Sequence, residues 1–235
     1  MFYINGKVPF AEARYLAMTK VWKNLYPVDD EGNYTFSSDI NGNDIRPVAA
    51  IDPEWRTYSF IDANGYYPNP FEFYFEEGEN TIALECVREP VVIKSIRFYP
   101  YQDLPTYSEV EAEYAKAGYK EADAEPIKIK AEITTNTSHE TIYPIYDRTS
   151  AITDPQHPTH IKLNTIGSNK WQNVGYWIRY EFNVEKDGLY QIAVRFKQSE
   201  LNGIYVSRRL RIDGKVPFEE ANALRFDYST EWQSK

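Results

Sequence analysis

Oxygen- and nitrogen-bearing side chains recur along this chain at spacings that match several kinds of chemistry. Asp39, Asn41 and Asn43 alternate as the first ligands of a calcium-binding EF-hand loop do, yet Asp44 stands where that loop needs glycine and no glutamate closes it. A solvated loop is the reading that fits. His157 and His160 have a spacing that zinc ligands use, but Pro158 between them prevents a regular helix, and His139 is the one other histidine. Tyr66, Tyr67 and Asn69 in DANGYYPNP form an aromatic and amide cluster, either a binding surface or a turn that happens to carry tyrosines. The 35 Asp and Glu are too numerous to single out a catalytic pair. A Gly-x-Ser-x-Gly elbow, a Walker loop and a dinucleotide-binding glycine fingerprint are all missing, so an enzyme reading has no residue to rest on. The single cysteine, Cys86 in TIALECV, reads as a small core hydrophobe and excludes any disulfide framework within the chain.

The elements that must carry these residues are mostly strands. Alternating or apolar runs occur at RTYSFI (56–61), FEFYF (71–75), NTIALEC (80–86) and VVIKSIRFY (91–99), a meander with one buried face. Residues 105–120 switch to a helical period, with Ser108 ahead of Glu109 and Glu111 as the start, Val110, Tyr114 and Ala117 on one face, and Gly118 as the stop. KIKAE (128–132) opens a second β region, and after a loop at 133–160 strands resume at 175–184, 189–197 and 208–213, the first two joined by a Lys186-Asp187-Gly188 turn. Residues 27–50 read as an exposed loop excursion. Twenty Tyr and 12 Phe among 235 residues favour strands, so the class expected is all-β with short helices. A formal charge of −9 without a basic stripe excludes nucleic acid as the expected partner, and no apolar run is long enough to cross a bilayer.

One segment occurs twice. FYINGKVPFAEARYL (2–16) returns as LRIDGKVPFEEANAL (210–224), identical through GKVPF and displaced by 208 residues, from Ile4 to Ile212. That spacing suits duplicated domains, and the chain reads as a window from a tandem array with neighbouring modules of a longer parent chain. Asn5-Gly6 and Asp213-Gly214 predict tight hairpin turns, each followed by a short helical stretch with Pro near its start.

The run NKWQNVGYWIRYEFNVEKDGLYQIAVRFKQSE (169–200), followed by RRLRIDG (208–214), resembles the central part of carbohydrate-binding modules of families 6 and 35, whose pattern is "vGyW…Y.vnV…aGtY.i.vRy" and then "l.vdG". KIKAE resembles their opening strand, "iEAE". Residues 54–99 resemble their closing half, "W..v.v.l..G.NtI.l", so the halves stand in reversed order: closing half at 1–100, helical bridge at 101–126, opening half at 127–235. The resemblance implies an antiparallel β-sandwich of jelly-roll, galactose-binding-like form. Two arrangements complete it: a circularly permuted sandwich within one chain, or strand exchange between two chains in a homo-oligomer.

The same resemblance implies a non-catalytic carbohydrate-binding module of a secreted or cell-surface bacterial protein. Its extended form is similar to modules accompanying solute-binding lipoproteins of sugar ABC transporters. Carbohydrate is the implied partner, bound by aromatic stacking and amide hydrogen bonds. Trp171, Gln172, Asn173 and Asn169 occupy the loop that supplies such a platform in the family, with Tyr66, Tyr67 and Asn69 as the second cluster; packing is the competing role for Trp171, and the expected one for Trp177, Trp22, Trp55 and Trp232. Glu132 matches an acidic position that helps hold a structural calcium in the family, but Lys130 and Lys94 or Ser95 replace other ligands, so no cofactor is expected. The alternatives are an assembly module of an extracellular transporter component that binds no sugar and, more distantly, a glycan-degrading enzyme.

Overall fold

The computed structural model describes residues 1–67, 69–150 and 153–234. The fold is β-rich. In chain order its strands are β1 (Phe2–Ile4), β2 (Trp22–Leu25), β3 (Val48–Ile51), β4 (Ile82–Leu84), β5 (Asn136–Thr137), β6 (Pro144–Ile145), β7 (Thr165–Ile166), β8 (Ile178–Arg179), β9 (Arg195–Gln198), β10 (Val206–Arg208), β11 (Leu224–Phe226) and β12 (Ser229–Ser234), with one helix, α1 (Tyr107–Ala117). Every strand pair is antiparallel, and the largest sheet has the order β3-β2-β5-β8.

That four-stranded sheet draws two strands from each half of the sequence. Trp22 of β2 is in register with Thr137 of β5, and Asn136 of β5 with Arg179 of β8. The sequence offers little warning of these strands, because their buried side chains are polar: Asn24, Thr134, Asn136, Thr137 and Ser138 are all nearly inaccessible. Burial of such groups is tolerable only when each finds a partner. The Asn136 amide donates to Asp52 Oδ2 (2.9 Å), its carbonyl oxygen accepts from Arg179, and Arg179 in turn holds Glu54 through Nη1 and Nη2, both 3.0 Å from Oε2. Lys23 closes the other end on Asp52 Oδ1 at 3.0 Å. Tyr26 donates to the Glu132 carbonyl (3.0 Å) and accepts from the Thr134 N–H (3.1 Å).

Both copies of the repeated segment fold alike. Asn5 and Gly6 take φ of 47° and 74°, Asp213 and Gly214 take 49° and 80°, and the turns close with Ile4 bridged to Lys7 and Ile212 to Lys215. Two successive positive φ values are what a type I′ turn requires, and Asn, Asp and Gly are the residues that reach them at least cost. The helical stretches are single 3₁₀ turns, Ala11–Arg14 and Glu219–Ala223, with Ala13 and Ala221 fully buried. Pro9 and Pro217 precede them instead of starting them. The surroundings differ: Phe2 packs edge-on against Phe60 (5.2 Å) and Phe73 (4.9 Å), and Phe10 against Phe71 (4.9 Å), whereas Phe218 meets Tyr107 of α1 (5.1 Å).

Helix α1 forms where the period predicts, but its cap is Thr106, not Ser108. Thr106 and Glu109 make a reciprocal capping box, and Gly118 ends the helix in the left-handed conformation at φ 74°. Its first turn is tied to the second repeat copy, Tyr107 N–H donating to Glu220 Oε2 at 2.9 Å. Beyond Gly118 the chain runs beside the 186–189 turn, Leu189 N–H donating to the Lys120 carbonyl at 2.8 Å. Gly188 permits this approach, since a Cβ there would lie 2.6 Å from Ala122 Cα.

Several expected strands carry no ladder. Residues 56–61, 71–75, 91–99 and 128–132 lack strand hydrogen bonding among the described residues, and only Ile178–Arg179 and Arg195–Gln198 survive of the 175–184 and 189–197 runs. The first three segments still lie side by side: Phe71 N–H donates to the Phe60 carbonyl (2.8 Å), Phe75 packs edge-on against Phe98 (5.3 Å), and the Ser59 and Tyr99 hydroxyls are 3.3 Å apart. They and residues 189–195 line part of an open space of about 4690 Å³ that extends over much of the chain. Side chains such as Val92, Phe98 and Ile192 are more than half exposed. Apolar alternation marks a face that needs covering, and it forms a ladder only when a neighbouring backbone supplies the hydrogen bonds. Cys86, past the end of β4, is exposed and not in the core. Trp55 is likewise 67% exposed, against the packing role expected for it.

The Asn136 side chain serves partners from both halves, so Asn136→Ala leaves Asp52 and Arg179 each short of one bond. A loss of about 1–3 kcal/mol is expected, read as a lowered urea midpoint. An unchanged midpoint would mean that these bonds do not hold the sheet.

Candidate functional site

The loop 167–176 is built to present an indole. Gly167 is buried at φ 114° and Ser168 follows at φ 50°, which starts the 3₁₀ turn Ser168–Lys170 and turns the chain into Trp171. The indole Nε1–H donates to the Tyr176 carbonyl at 2.9 Å, and Tyr176 N–H returns to the Asn173 carbonyl at 3.2 Å, closing the loop on itself. The Arg208 guanidinium lies over the ring, 4.3 Å from its centroid, and donates through Nη2 to the Trp171 carbonyl at 3.0 Å. Burial lowers the Arg208 pKa from its ordinary value. One ring face is thus committed to a cation, and Trp171 is half-buried.

Around that ring the amides are unengaged. Asn169, Gln172 and Asn173 are exposed, and their side chains make no hydrogen bond among the described residues. Each offers two donors and one acceptor without a competing internal partner.

The second cluster is held by a residue the sequence reading passed over. Asp62 is 2% exposed and accepts from the backbone N–H groups of Asn64 (2.9 Å), Tyr66 (2.7 Å) and Tyr67 (3.3 Å). The same device organises two earlier loops, where Asp29 caps Glu31 and Asn33 and Asp39 caps Asn41 and Asn43. A recurring Asp-x-[Asn/Glu]-Gly pattern at 29, 39 and 62 was the available signal. Hydrogen bonds from Asn43, first its side chain and then its backbone, hold the Asp39 carboxyl below the usual range; these bonds are spent on the turn itself. Tyr66 is 81% exposed, Tyr67 is partly turned onto Phe71 (6.3 Å), and the Asn69 carbonyl oxygen accepts from Asn222 at 2.9 Å.

The two loops meet. Gly65 lies so close to Val174 that a Cβ on it would be 2.9 Å from Cγ1, so the Tyr66 turn packs on the Trp171 loop through a contact that only glycine allows. Gly65 also has φ 77°. Trp171, Gln172, Asn173, Tyr67 and Asn69 are all among the residues that line the open space. Among these candidates Asn69 is bonded to the Asn222 side chain, Trp171 is covered on one face by Arg208, and Tyr67 leans on Phe71.

The remaining candidates lie apart. The side chain of Glu132 is 6% exposed, and burial raises its carboxyl above the ordinary value, with its own backbone N–H and Lys130 opposing more weakly. No group of three or more His, Cys, Asp or Glu able to hold a metal occurs among the described residues. His157 and His160 stack face to face, centroids 3.9 Å apart, and His157 Nδ1 accepts from the His160 N–H at 3.0 Å. Parallel rings do not converge their lone pairs on one ion. Trp177 lies beneath the Arg56 guanidinium at 4.3 Å, and Trp232 beneath Lys197 at 5.4 Å, both half-buried packing residues. No helix among the described residues is long and apolar enough to cross a membrane.

No protein-family model, curated protein or solved structure matches the chain.

Because the folded state raises the Glu132 pKa, it binds more protons than the unfolded chain from the ordinary glutamate value upward, and stability falls as pH rises through that window. Glu132→Gln is expected to raise the melting temperature at neutral pH, with the gain vanishing below the ordinary glutamate pKa. A destabilised variant at neutral pH would mean that the charged form is favourably bound.

Proposed function

We propose that the chain is a non-catalytic carbohydrate-binding module of jelly-roll type, acting at the cell surface or outside the cell. The observation that carries this reading is the meeting of two aromatic and amide loops at Gly65 and Val174. A pyranose has an apolar face and an equatorial ring of hydroxyls. It is bound by an aromatic surface beside amides that donate and accept together. Trp171 offers that surface through the part of its ring not covered by Arg208, and Tyr66 offers a second, unhindered ring. Gln172, Asn173 and Asn169 supply the hydrogen-bonding groups, with Tyr67 and Asn69 on the adjoining loop. Affinity for one site is modest, because each bond to a sugar hydroxyl replaces one to water. Calcium at Glu132 plays no part in this binding.

A second reading, an assembly module of an extracellular transporter component, is favoured by one observation: the exposed apolar rows at 91–99 and 190–194 are larger than a sugar needs. These readings separate in one experiment.

Affinity electrophoresis across soluble polysaccharides, or a glycan array, is expected to retain the native chain on at least one glycan. Trp171→Ala should abolish retention. Tyr66→Ala and Gln172→Ala, which break no internal hydrogen bond, should weaken it roughly ten-fold, the scale of one to two lost contacts, without changing the melting temperature. Retention on no glycan, or retention insensitive to all three variants, would leave the assembly reading standing in its place.

A further inference from the structure

The two copies of the repeated segment are folded alike and partnered differently. In the first copy β1 pairs with β4, in the register Phe2 with Leu84, Tyr3 with Ala83 and Ile4 with Ile82. Asn5 N–H donates to the Thr81 carbonyl (2.9 Å), Asn5 Oδ1 accepts from Thr81 N–H (2.8 Å), and Tyr3 OH donates to Glu85 Oε2 (2.6 Å). Asn5 Nδ2 donates to Asn80 Oδ1 at 3.0 Å, so the strand Asn80–Glu85 is read by a backbone edge, one amide oxygen and two side-chain donors.

The second copy presents the same edge without the strand. Its inward N–H groups are used as expected, Leu210 to the Ala221 carbonyl (2.9 Å) and Ile212 to the Lys215 carbonyl (2.8 Å). The outward positions are Arg211 and Asp213, which correspond to Tyr3 and Asn5. Neither backbone N–H makes a hydrogen bond among the described residues, and Ile212 is 47% exposed. The substitutions keep the acceptor and the donor to the glutamate and give up the Asn5 donor to Asn80. Asp213 retains the acceptor oxygen for a Thr81-type N–H, and Arg211 puts a cation where Tyr3 reaches a Glu85-type carboxylate. The Arg211 guanidinium now folds onto the Gly214 carbonyl (3.0 Å), which uses one of its five N–H groups.

We infer that residues 209–213 are a docking edge for an extended strand of the Asn80–Glu85 type, supplied by another copy of the repeated unit. The strand adds antiparallel to the edge, its Ile, Ala and Leu equivalents opposite Ile212, Arg211 and Leu210, and its glutamate paired with Arg211. Residues 80–85 of this chain already pair with β1, so the occupant comes from a further unit and not from the same one. This junction is independent of any glycan at the Trp171 loop.

The test uses the full chain and a fluorescein-labelled, amidated peptide of residues 78–85, GENTIALE, followed by fluorescence anisotropy. Saturable binding is expected, weakened about ten-fold by Arg211→Glu and lost with Arg211→Pro, which removes the outward N–H. A peptide carrying Glu85→Lys should bind Arg211→Glu better than it binds the native chain. Melting temperatures confirm that the variants stay folded, and the charge reversal retains a readout even if the proline variant does not. Absence of saturable binding would overturn the inference. So would binding that ignores both charge changes, which would place the peptide on β1 instead.

Discussion

The structure depends on a strip of buried polar groups between β2 and β5. Asn24, Thr134, Asn136, Thr137 and Ser138 are removed from water, and all but Thr137, whose hydroxyl donates to the nearby His139 carbonyl, are answered by groups from distant parts of the sequence: Thr134 and the Ile142 carbonyl for Asn24, Tyr26 for Thr134, Asp52 and Arg179 for Asn136, Trp177 N–H for Ser138. Such a strip is sensitive to geometry, because an unmatched buried donor costs more than a matched one contributes. It therefore specifies which segments are neighbours more sharply than an apolar contact of the same area would. Asp52 shows the electrostatic side of this. Its carboxyl is held below the usual range first by the Asn136 amide and then by Lys23, so its contribution is present above the ordinary aspartate pKa and is lost as pH falls through the depressed value.

The candidate site inherits its placement from that strip. β8 leaves β5 at Arg179, and the Trp171 loop lies immediately before it; the chain beyond β3 passes Glu54, Arg179's carboxylate partner, and reaches the Asp62 turn within a few residues. The Gly65 contact with Val174 is then a local consequence of a long-range pairing. Both loops fold on their own hydrogen bonds; the Trp171 indole is part of that bonding through the Tyr176 carbonyl, while Tyr66, Asn169, Gln172 and Asn173 keep their side chains outward.

Local features were legible in the sequence and partnerships were not. Asn5-Gly6 and Asp213-Gly214 declare type I′ turns because few residues tolerate positive φ twice in succession, and Gly118 declares a helix end for the same reason. The strand order could not be read. β2 and β5 are short and bury Asn and Thr, so neither shows apolar alternation, while FEFYF and VVIKSIRFY show it strongly and form no ladder. Periodicity reports which face wants covering, whereas a ladder requires a neighbour's backbone. The same gap explains Asp62, an ordinary turn residue in sequence, whose importance lies in three N–H groups that only the folded turn aims at it. The aromatic and amide clusters were visible as composition, and their proximity required the fold.

Amide hydrogen exchange across the β2–β5 junction tests most directly whether the polar strip holds the two parts of the chain together. Thr134 N–H donates to the Tyr26 hydroxyl and Thr137 pairs with Trp22 across that junction, so the amides of 134 and 137 should exchange as slowly as β2 and far more slowly than the exposed loop at 27–45. Exchange at 134 and 137 as fast as in that loop would contradict the account.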